Sequence, residues 1–295
     1  MGTLYLVSTP IGNLEDVTLR ALRILRAVSL IAAEDTRTTR KLLSHYDIHT
    51  PLTSYNEHNR RAKTPRLLEA LAEGDVALVS EAGTPAISDP GQHLVAAAWE
   101  AGLRVVPVPG PSVLTAALSA SGLSTRRFLY LGFLSRQPGP LRKLLRSVRD
   151  AADTLVAFEA PHRLGATLAI LREELGGRQA AVCRELTKVH EEIFRGSFSE
   201  AEAHFLEPRG EFTLVIEGCS EEVAATEAPA GLTAEIRRLR AAGVPAREAL
   251  PALSIRFGLP RRQLYRLWLA SGALRNKKAS VMVMKKTTRH KEPHP

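Results

Sequence analysis

Between residues 3 and 217, short apolar runs alternate with helical patterns, and this alternation restricts the chain to an α/β architecture. The first apolar run, Thr3 to Ser8, is followed by a loop and by a helix that Thr18 caps, with Leu19, Leu22 and Leu25 expected on one face and Arg23 and Arg26 on the other. Further strands are read at Val28 to Ala33, Leu52 to Tyr55, Val76 to Val79 and Arg104 to Val108, with helices at Lys63 to Ala72, from Leu94 to Ala101 and at Val113 to Ser121. A second series follows the turn-like Leu123 to Arg127. Its strands are Phe128 to Phe133, Thr154 to Phe158, Ala180 to Cys183, Glu192 to Gly196 and Phe212 to Glu217. Its helices are Leu141 to Arg149 after a linker with Pro138, Gly139 and Pro140, one opening at Glu159 to Arg163 and ending at Leu175, and Glu200 to Phe205.

Open α/β sheets bind ligands beyond the carboxyl ends of their strands, and here the polar residues collect at strand ends. The longest such segment is Ser80-Glu-Ala-Gly-Thr-Pro-Ala-Ile-Ser-Asp-Pro-Gly91. Connections of this kind usually run about two to six residues. The segment is about twice that length, with Pro85 and Pro90 fixing φ and Gly83 and Gly91 free to take positive φ. Glu34-Asp-Thr-Arg37 is read either as a helix cap with surface charge or as the wall of a site. Pro109-Gly-Pro-Ser112 opens a helix whose free N–H groups suit a carboxylate or a ribose oxygen.

Several chemistries are excluded. No two of the twenty glycines stand two apart, so the dinucleotide fingerprint cannot be written. There is no phosphate loop with its Gly-Lys-Ser/Thr ending and no G-x-S-x-G elbow. Cys183 and Cys219 are the only cysteines and sit in apolar runs, which fits a reducing cytosol and gives no disulfide framework; no metal site is expected. No membrane-length apolar run and no secretory leader is read.

Charge is divided unevenly along the chain. Residues 1–230 hold 25 Lys and Arg against 28 Asp and Glu, a net of −3; residues 231–295 hold 15 against 3, a net of +12. The basic part carries helical patterns at Leu232 to Ala242, Arg247 to Arg256 and Arg261 to Ala270, separated by Gly243-Val-Pro245 and Gly258-Leu-Pro260. A basic helix-turn-helix of this kind suits a nucleic-acid backbone, with Arg261, Arg262 and Arg266 as its contacts. A packing appendage with a solvated face is the other reading. The domain reading is 1–122 and 123–225 as two α/β domains, 226–274 as the basic helical module, and 275–295 as a basic tail without a core pattern.

Eight motifs in order carry a resemblance: Thr9-Pro-Ile-Gly-Asn-Leu14, Ala33-Glu-Asp-Thr-Arg37, Ser54-Tyr-Asn-Glu-His-Asn59, the segment 80–91, Val108-Pro-Gly-Pro-Ser112, Gly132-Phe-Leu134, Glu159-Ala-Pro-His-Arg163 and Arg184-Glu-Leu-Thr-Lys188. Together they resemble the bacterial 16S rRNA (cytidine 2′-O)-methyltransferase family, of the tetrapyrrole-methylase fold class, over roughly residues 1 to 275. The resemblance implies two α/β domains with S-adenosylmethionine in the cleft between them, a cytoplasmic homodimer, and 16S rRNA or the small ribosomal subunit as partner. It places cofactor contacts on Pro10, Thr84, Ile87, Ser88, Ser112, Val113, Phe133, Leu186 and Gly210. Gly83-Thr84-Pro85 stands where the wider class commonly has Gly-Asp-Pro, a departure that speaks against a porphyrin substrate.

Ribose methylation needs positioning and a proton acceptor. Candidates are Glu81, Asp89, Glu159, His162, Glu185 and Lys188, of which Glu159 and Glu185 lead, with Lys188 and Arg184 orienting a phosphate or lowering the hydroxyl pKa. Each also has a structural reading, as ion pair or helix cap. A catalytically inactive RNA- or ribosome-binding protein and a small-molecule, tetrapyrrole-like methylase are the alternatives.

Overall fold

The computed structural model describes residues 1–219 and 231–259 and, further on, residues 261, 264, 265, 267–269 and 271. Among these residues two five-stranded sheets form. The first contains β1 (Thr3–Val7), β2 (Leu30–Ala33), β3 (Leu52–Ser54), β4 (Val76–Val79) and β5 (Arg104–Val108), in the order β3-β2-β4-β1-β5, with every pairing parallel. Helices α1 (Leu19–Ala27) and α2 (Thr36–His45) cover one face, and α3 (Arg60–Glu73) and α4 (Gln92–Glu100) the other. A sheet covered on both faces needs strands that are apolar on both sides. Accordingly Val7, Ile31, Ala33, Ala77 and Val79 pack toward α1 and α2, while Leu4, Ala32, Val76 and Leu78 pack toward α3 and α4.

The second sheet contains β6 (Phe128–Phe133), β7 (Thr154–Glu159), β8 (Gln179–Arg184), β9 (Glu192–Ser197) and β10 (Phe212–Ile216), in the order β6-β7-β10-β8-β9. Only β6 and β7 run parallel; the other pairs are antiparallel. Its outer face, with Leu155, Ala157, Val182 and Leu214, is covered by α6 (Pro138–Val148), α7 (Leu164–Leu175) and α8 (Phe198–His204). Its inner face, with Val156, Ala181, Cys183 and Val215, is covered by α5 (Val113–Ser121), which follows the last strand of the first sheet. Ala117 and Leu118 of α5 therefore bury themselves against the other sheet, where Ile11 of the loop after β1 joins them.

Beyond the gap in described residues, α9 (Leu232–Ala241) and α10 (Ala246–Phe257) enclose a small core with Leu264, Leu267 and Trp268, whose stretch is helical wherever it is described. The Arg240 guanidinium lies over the Trp268 ring at 5.6 Å and donates to the Trp268 carbonyl.

The structure corrects the sequence reading in four places. Leu19 is 86% exposed, and the buried face of α1 is Ala21, Leu22, Ile24 and Leu25. Helix α2 has no counterpart in the reading. Pro138, read as linker, occupies the first turn of α6, where a missing N–H is harmless. Helix α3 begins at Arg60 rather than Lys63. Arg262, Arg266, the boundary at 226 and the tail 275–295 lie outside the described residues.

Candidate active site

Adjacent strands β1 and β4 send their connections to opposite faces of the first sheet, β1 into α1 and β4 into α4. That is a topological switch point, and it leaves a crevice at the carboxyl ends of both strands. The two loops there are tied together. Thr9 and Gly83 exchange backbone hydrogen bonds of 2.9 and 3.0 Å, Ser8 Oγ lies 3.0 Å from Thr84 Oγ1, and Thr84 donates to the Pro111 carbonyl at 3.3 Å. Thr84, Pro10 and the start of α5 at Ser112 and Val113 thus meet at one place. The Ser112 hydroxyl has no partner among the described residues although it stands at the helix start.

From Thr84 onward the loop turns sharply, with Ala86 at φ 68° and Ser88 at φ 64°. Residues with a Cβ rarely adopt this region, and such geometry gathers at functional sites. The turn closes on Gly91, where a Cβ would stand 2.9 Å from Leu78 Cδ2. It brings Ser88 across to the second sheet, Oγ to Tyr130 hydroxyl oxygen at 2.5 Å. Ile87 is 48% exposed and Phe133, edge-on to Phe158 at 5.3 Å, is 67% exposed. Two large apolar side chains left open at a crevice offer a seat for a flat aromatic group.

A second junction joins the loop after β1 to the loop after β8. Asn13 N–H donates to Thr187 Oγ1 at 3.1 Å, and a Cβ on Gly12 would stand 2.4 Å from Lys188 Cγ and 3.0 Å from the Leu186 carbonyl. Glu185 and Thr187 both have positive φ, 50° and 67°. Lys188 Nζ donates to Glu185 at 3.1 Å and to Glu211 at 2.6 Å, and the Glu211 N–H donates to Glu185 at 2.8 Å. Burial alone would raise the Glu185 carboxyl, but the Glu211 N–H, Lys188 and Arg184 hold it below its ordinary value. Likewise burial would lower Lys188, while Glu211 and Glu185 hold it above. Gly210 lies against Glu185, and Leu186 is buried with Ile11 and α5 on the inner face of the second sheet.

Of the carboxylates named from sequence, the two leading ones, Glu159 and Glu185, are each held by partners of their own, whereas Glu81 and Asp89 come together. Glu159 is 2% exposed; it accepts from its neighbour's N–H (Ala160) at 2.7 Å and from Thr167 at 2.6 Å, and it pairs with Arg163 at 2.5 Å. Those contacts make it an anchor between β7 and α7 rather than an open proton acceptor. Arg184 is engaged by the Arg209 carbonyl at 2.8 Å and by Glu192 at 3.3 Å, and His162 is exposed on a short turn. Arg261 is exposed. A carboxyl cluster does form at the ends of β2 and β4. Glu34 accepts from the Glu81 N–H at 3.1 Å, and Asp89 lies beside both acids and near Tyr130. Burial, with Glu34 and Glu81 adding repulsion, pushes the Asp89 carboxyl up to about 7. Burial likewise raises Glu34. Asp35 takes the other role read from sequence, capping α2 through the Arg37 N–H at 2.7 Å, and Arg37 holds it at about 2.

Among the described residues no group of three or more His, Cys, Asp or Glu suits a metal ion. His45 and His49 stand four apart, but α2 ends at His45, so they share no helical face. No helix among the described residues is long and apolar enough to cross a membrane.

Comparison with known proteins agrees with this geometry. A family model described as Tetrapyrrole (Corrin/Porphyrin) Methylases matches residues 3–202. A ribosomal RNA small subunit methyltransferase I of Synechocystis sp. is 51% identical, with 91% of this chain and 98% of that protein covered. One of the same name from Thermotoga maritima is 49% identical over 221 residues, 74% of this chain and 99% of its own length. Among solved structures, a diphthine synthase (16% identical, TM-score 0.58, 73% of this chain and 90% of that one) and a uroporphyrin-III-C-methyltransferase from Thermus thermophilus (24% identical, TM-score 0.54, 73% and 94%) share the fold. With its switch-point crevice, its two sheets and these relatives, the chain belongs to the tetrapyrrole methylase family, within the group of ribosomal RNA small subunit methyltransferases I.

Proposed function

We propose that this chain methylates the ribose 2′-hydroxyl of a cytidine in the decoding region of 16S rRNA, acting in the cytoplasm as a homodimer on the small ribosomal subunit. It is an enzyme, and S-adenosylmethionine is its methyl donor. The names and coverage of the relatives support the rRNA substrate. The observation that carries the chemistry is the loop 80–91, which crosses to the second sheet at Ser88–Tyr130 and sets Asp89 in the mouth of the crevice.

The residues fit the donor. Thr84, Ile87, Ser88 and Phe133 form an open, half-apolar wall; Pro10, Ser112 and Val113 flank it from the first sheet, and Leu186 and Gly210 lie on the loops that close it from the second. When bound, S-adenosylmethionine supplies an electrophilic methyl group on a sulfonium. The protein's task is then to orient the ribose and take its proton. We assign the proton to Asp89, since a general base works best when its pKa lies near the operating pH. Glu159 is buried and held by Ala160, Thr167 and Arg163, and Glu185 is paired with Lys188. Lys188 and Glu185 keep the second junction closed over the crevice, and Arg184 steadies the Arg209–Glu211 turn beside it. Arg261, with Arg262 and Arg266, supplies cationic charge for an RNA backbone from the basic module.

The test is transfer of labelled methyl from S-adenosylmethionine to small ribosomal subunits and to naked 16S rRNA, with mapping of the modified ribose. Label on a decoding-region cytidine is expected. Absence of label on both substrates, with the donor bound, would refute the reading.

A further inference from the structure

One basic feature of the first sheet has no part in the chemistry above. Helices α3 and α4 leave the same rim as the crevice, α3 after the turn Asn56 to Asn59 and α4 directly after the loop 80–91. Between them runs an open groove of about 300 Å³. Its lining includes Arg60, Arg61, His93, Ala96, Ala97 and Glu100. Spacings of three and four along α4 put His93, Ala96, Ala97 and Glu100 on one face, so the two alanines form a shallow floor. Arg60 pairs with Glu57 at 2.8 Å, whereas Arg61 and His93 have no polar partner among the described residues. Glu57 offsets Arg60, so Arg61 is the unpaired guanidinium of the groove, with His93 beside it and Glu100, about two turns from His93, as the acid of the lining.

We infer that this groove between α3 and α4 holds the backbone of the RNA strand flanking the methylated ribose, with Arg60 and Arg61 on successive phosphates and a sugar resting on Ala96 and Ala97. The inference rests on the rRNA reading above and gives it a path. His93 stands in the first turn of α4, directly after the loop that carries Asp89, so the groove begins where that loop ends. An open channel with a cationic edge and a small apolar floor suits an extended polyanion, for which each phosphate contact releases counterions. The Thermotoga maritima relative adds an independent argument. It matches over 221 residues that make up 99% of its length, too short to hold both sheets and the three C-terminal helices, which here span residues 3–271. An enzyme that acts on RNA without that module has to grip it with the two-sheet body.

The experiment uses the full-length chain and a single-stranded RNA of 16S decoding-region sequence, comparing Arg61→Glu, Arg60→Glu/Arg61→Glu and, as control, Arg104→Glu at the opposite rim of the sheet. Arg61 is exposed and partnerless, so its single variant keeps the fold. We expect the double variant to weaken RNA binding about tenfold at physiological salt and to reduce the salt slope by about 1.4, from about 0.7 per phosphate contact on a single strand. The dissociation constant for S-adenosylmethionine should not move. If the variants bind RNA as Arg104→Glu does, or if they impair binding of the intact subunit but not of RNA, the groove assignment is overturned. Failure of the unaltered enzyme to label rRNA would instead bring down the reading on which it rests.

Discussion

Asp89→Asn gives the sharpest separation of chemistry from stability. An ordinary aspartate ionises near 3.8 and Asp89 at about 7. If the group were fully buried, that gap would correspond to about 4 kcal/mol at 1.36 kcal/mol per pH unit. Asp89 is only half-buried, so screening by solvent reduces the effect to about 1–2 kcal/mol. The sign follows from proton linkage. Between pH 3.8 and 7 the folded state binds the proton and the unfolded state does not, so raising the pH through this window destabilises the native enzyme, and above pH 7 the whole penalty is present. Asparagine carries no such penalty. Relieving repulsion on Glu34 and Glu81 acts in the same direction. Asp89→Asn should therefore match the native enzyme near pH 4 and exceed it at pH 8, by about 3–6 °C in Tm. Its methyl transfer should fall by about a hundredfold or more. Thermal melts at pH 4.5 and 8, beside single-turnover rates, make the check. An equal melting difference at both pH values, or a variant that retains full activity, would refute the reasoning.

Glu159→Gln should behave in the opposite way: it leaves Arg163 without its buried partner, costing about 3 kcal/mol in urea melts, while the single-turnover rate of the folded fraction stays unchanged. Leu118→Ala removes a side chain from the packing of α5 on the second sheet and should cost about 2–5 kcal/mol, read from the urea midpoint. Gly12→Ala places a Cβ against the Leu186 carbonyl as well as Lys188 and Thr187; forcing the second junction apart should raise the KM for S-adenosylmethionine about tenfold while single-turnover rates at saturation change little.

Strand positions were legible because apolar runs bounded by glycine, proline and polar clusters leave few alternatives, and β4 with its loop was read from those residues alone. Helix α2 was missed because Thr36, Thr38 and Thr39 have weak helix propensity and its cap, Asp35, lies within a cluster read as a possible wall. Leu19 misled because α1 turns its first residue to solvent, and no local rule reports which turn of a helix overhangs its core. Identifying Asp89 needed the fold. Its proton affinity comes first from burial and then from Glu34, 55 positions earlier, so nothing local distinguishes it from Glu159 or Glu185. Of the two readings of Glu34 to Arg37, the structure shows the cap: Asp35 caps α2, while Glu34 ties itself to the start of the loop 80–91 through the Glu81 N–H.

Helix α5 carries a consequence for how the molecule admits ligands and for what evolution is free to change. Ala117 and Leu118 pack on Val156, Ala181 and Val215, and parting them would wet an apolar layer, so α5 stays with the second sheet although it follows the last strand of the first. The joint between the two halves then falls at 109–112, between β5 and α5. The rim segments at 84–88 and 186–191 contribute little to this layer apart from Leu186, so they can be rewritten without loosening the frame. A frame with replaceable lips can carry different chemistries, and solved structures as different as a diphthine synthase and a uroporphyrin-III-C-methyltransferase share this fold.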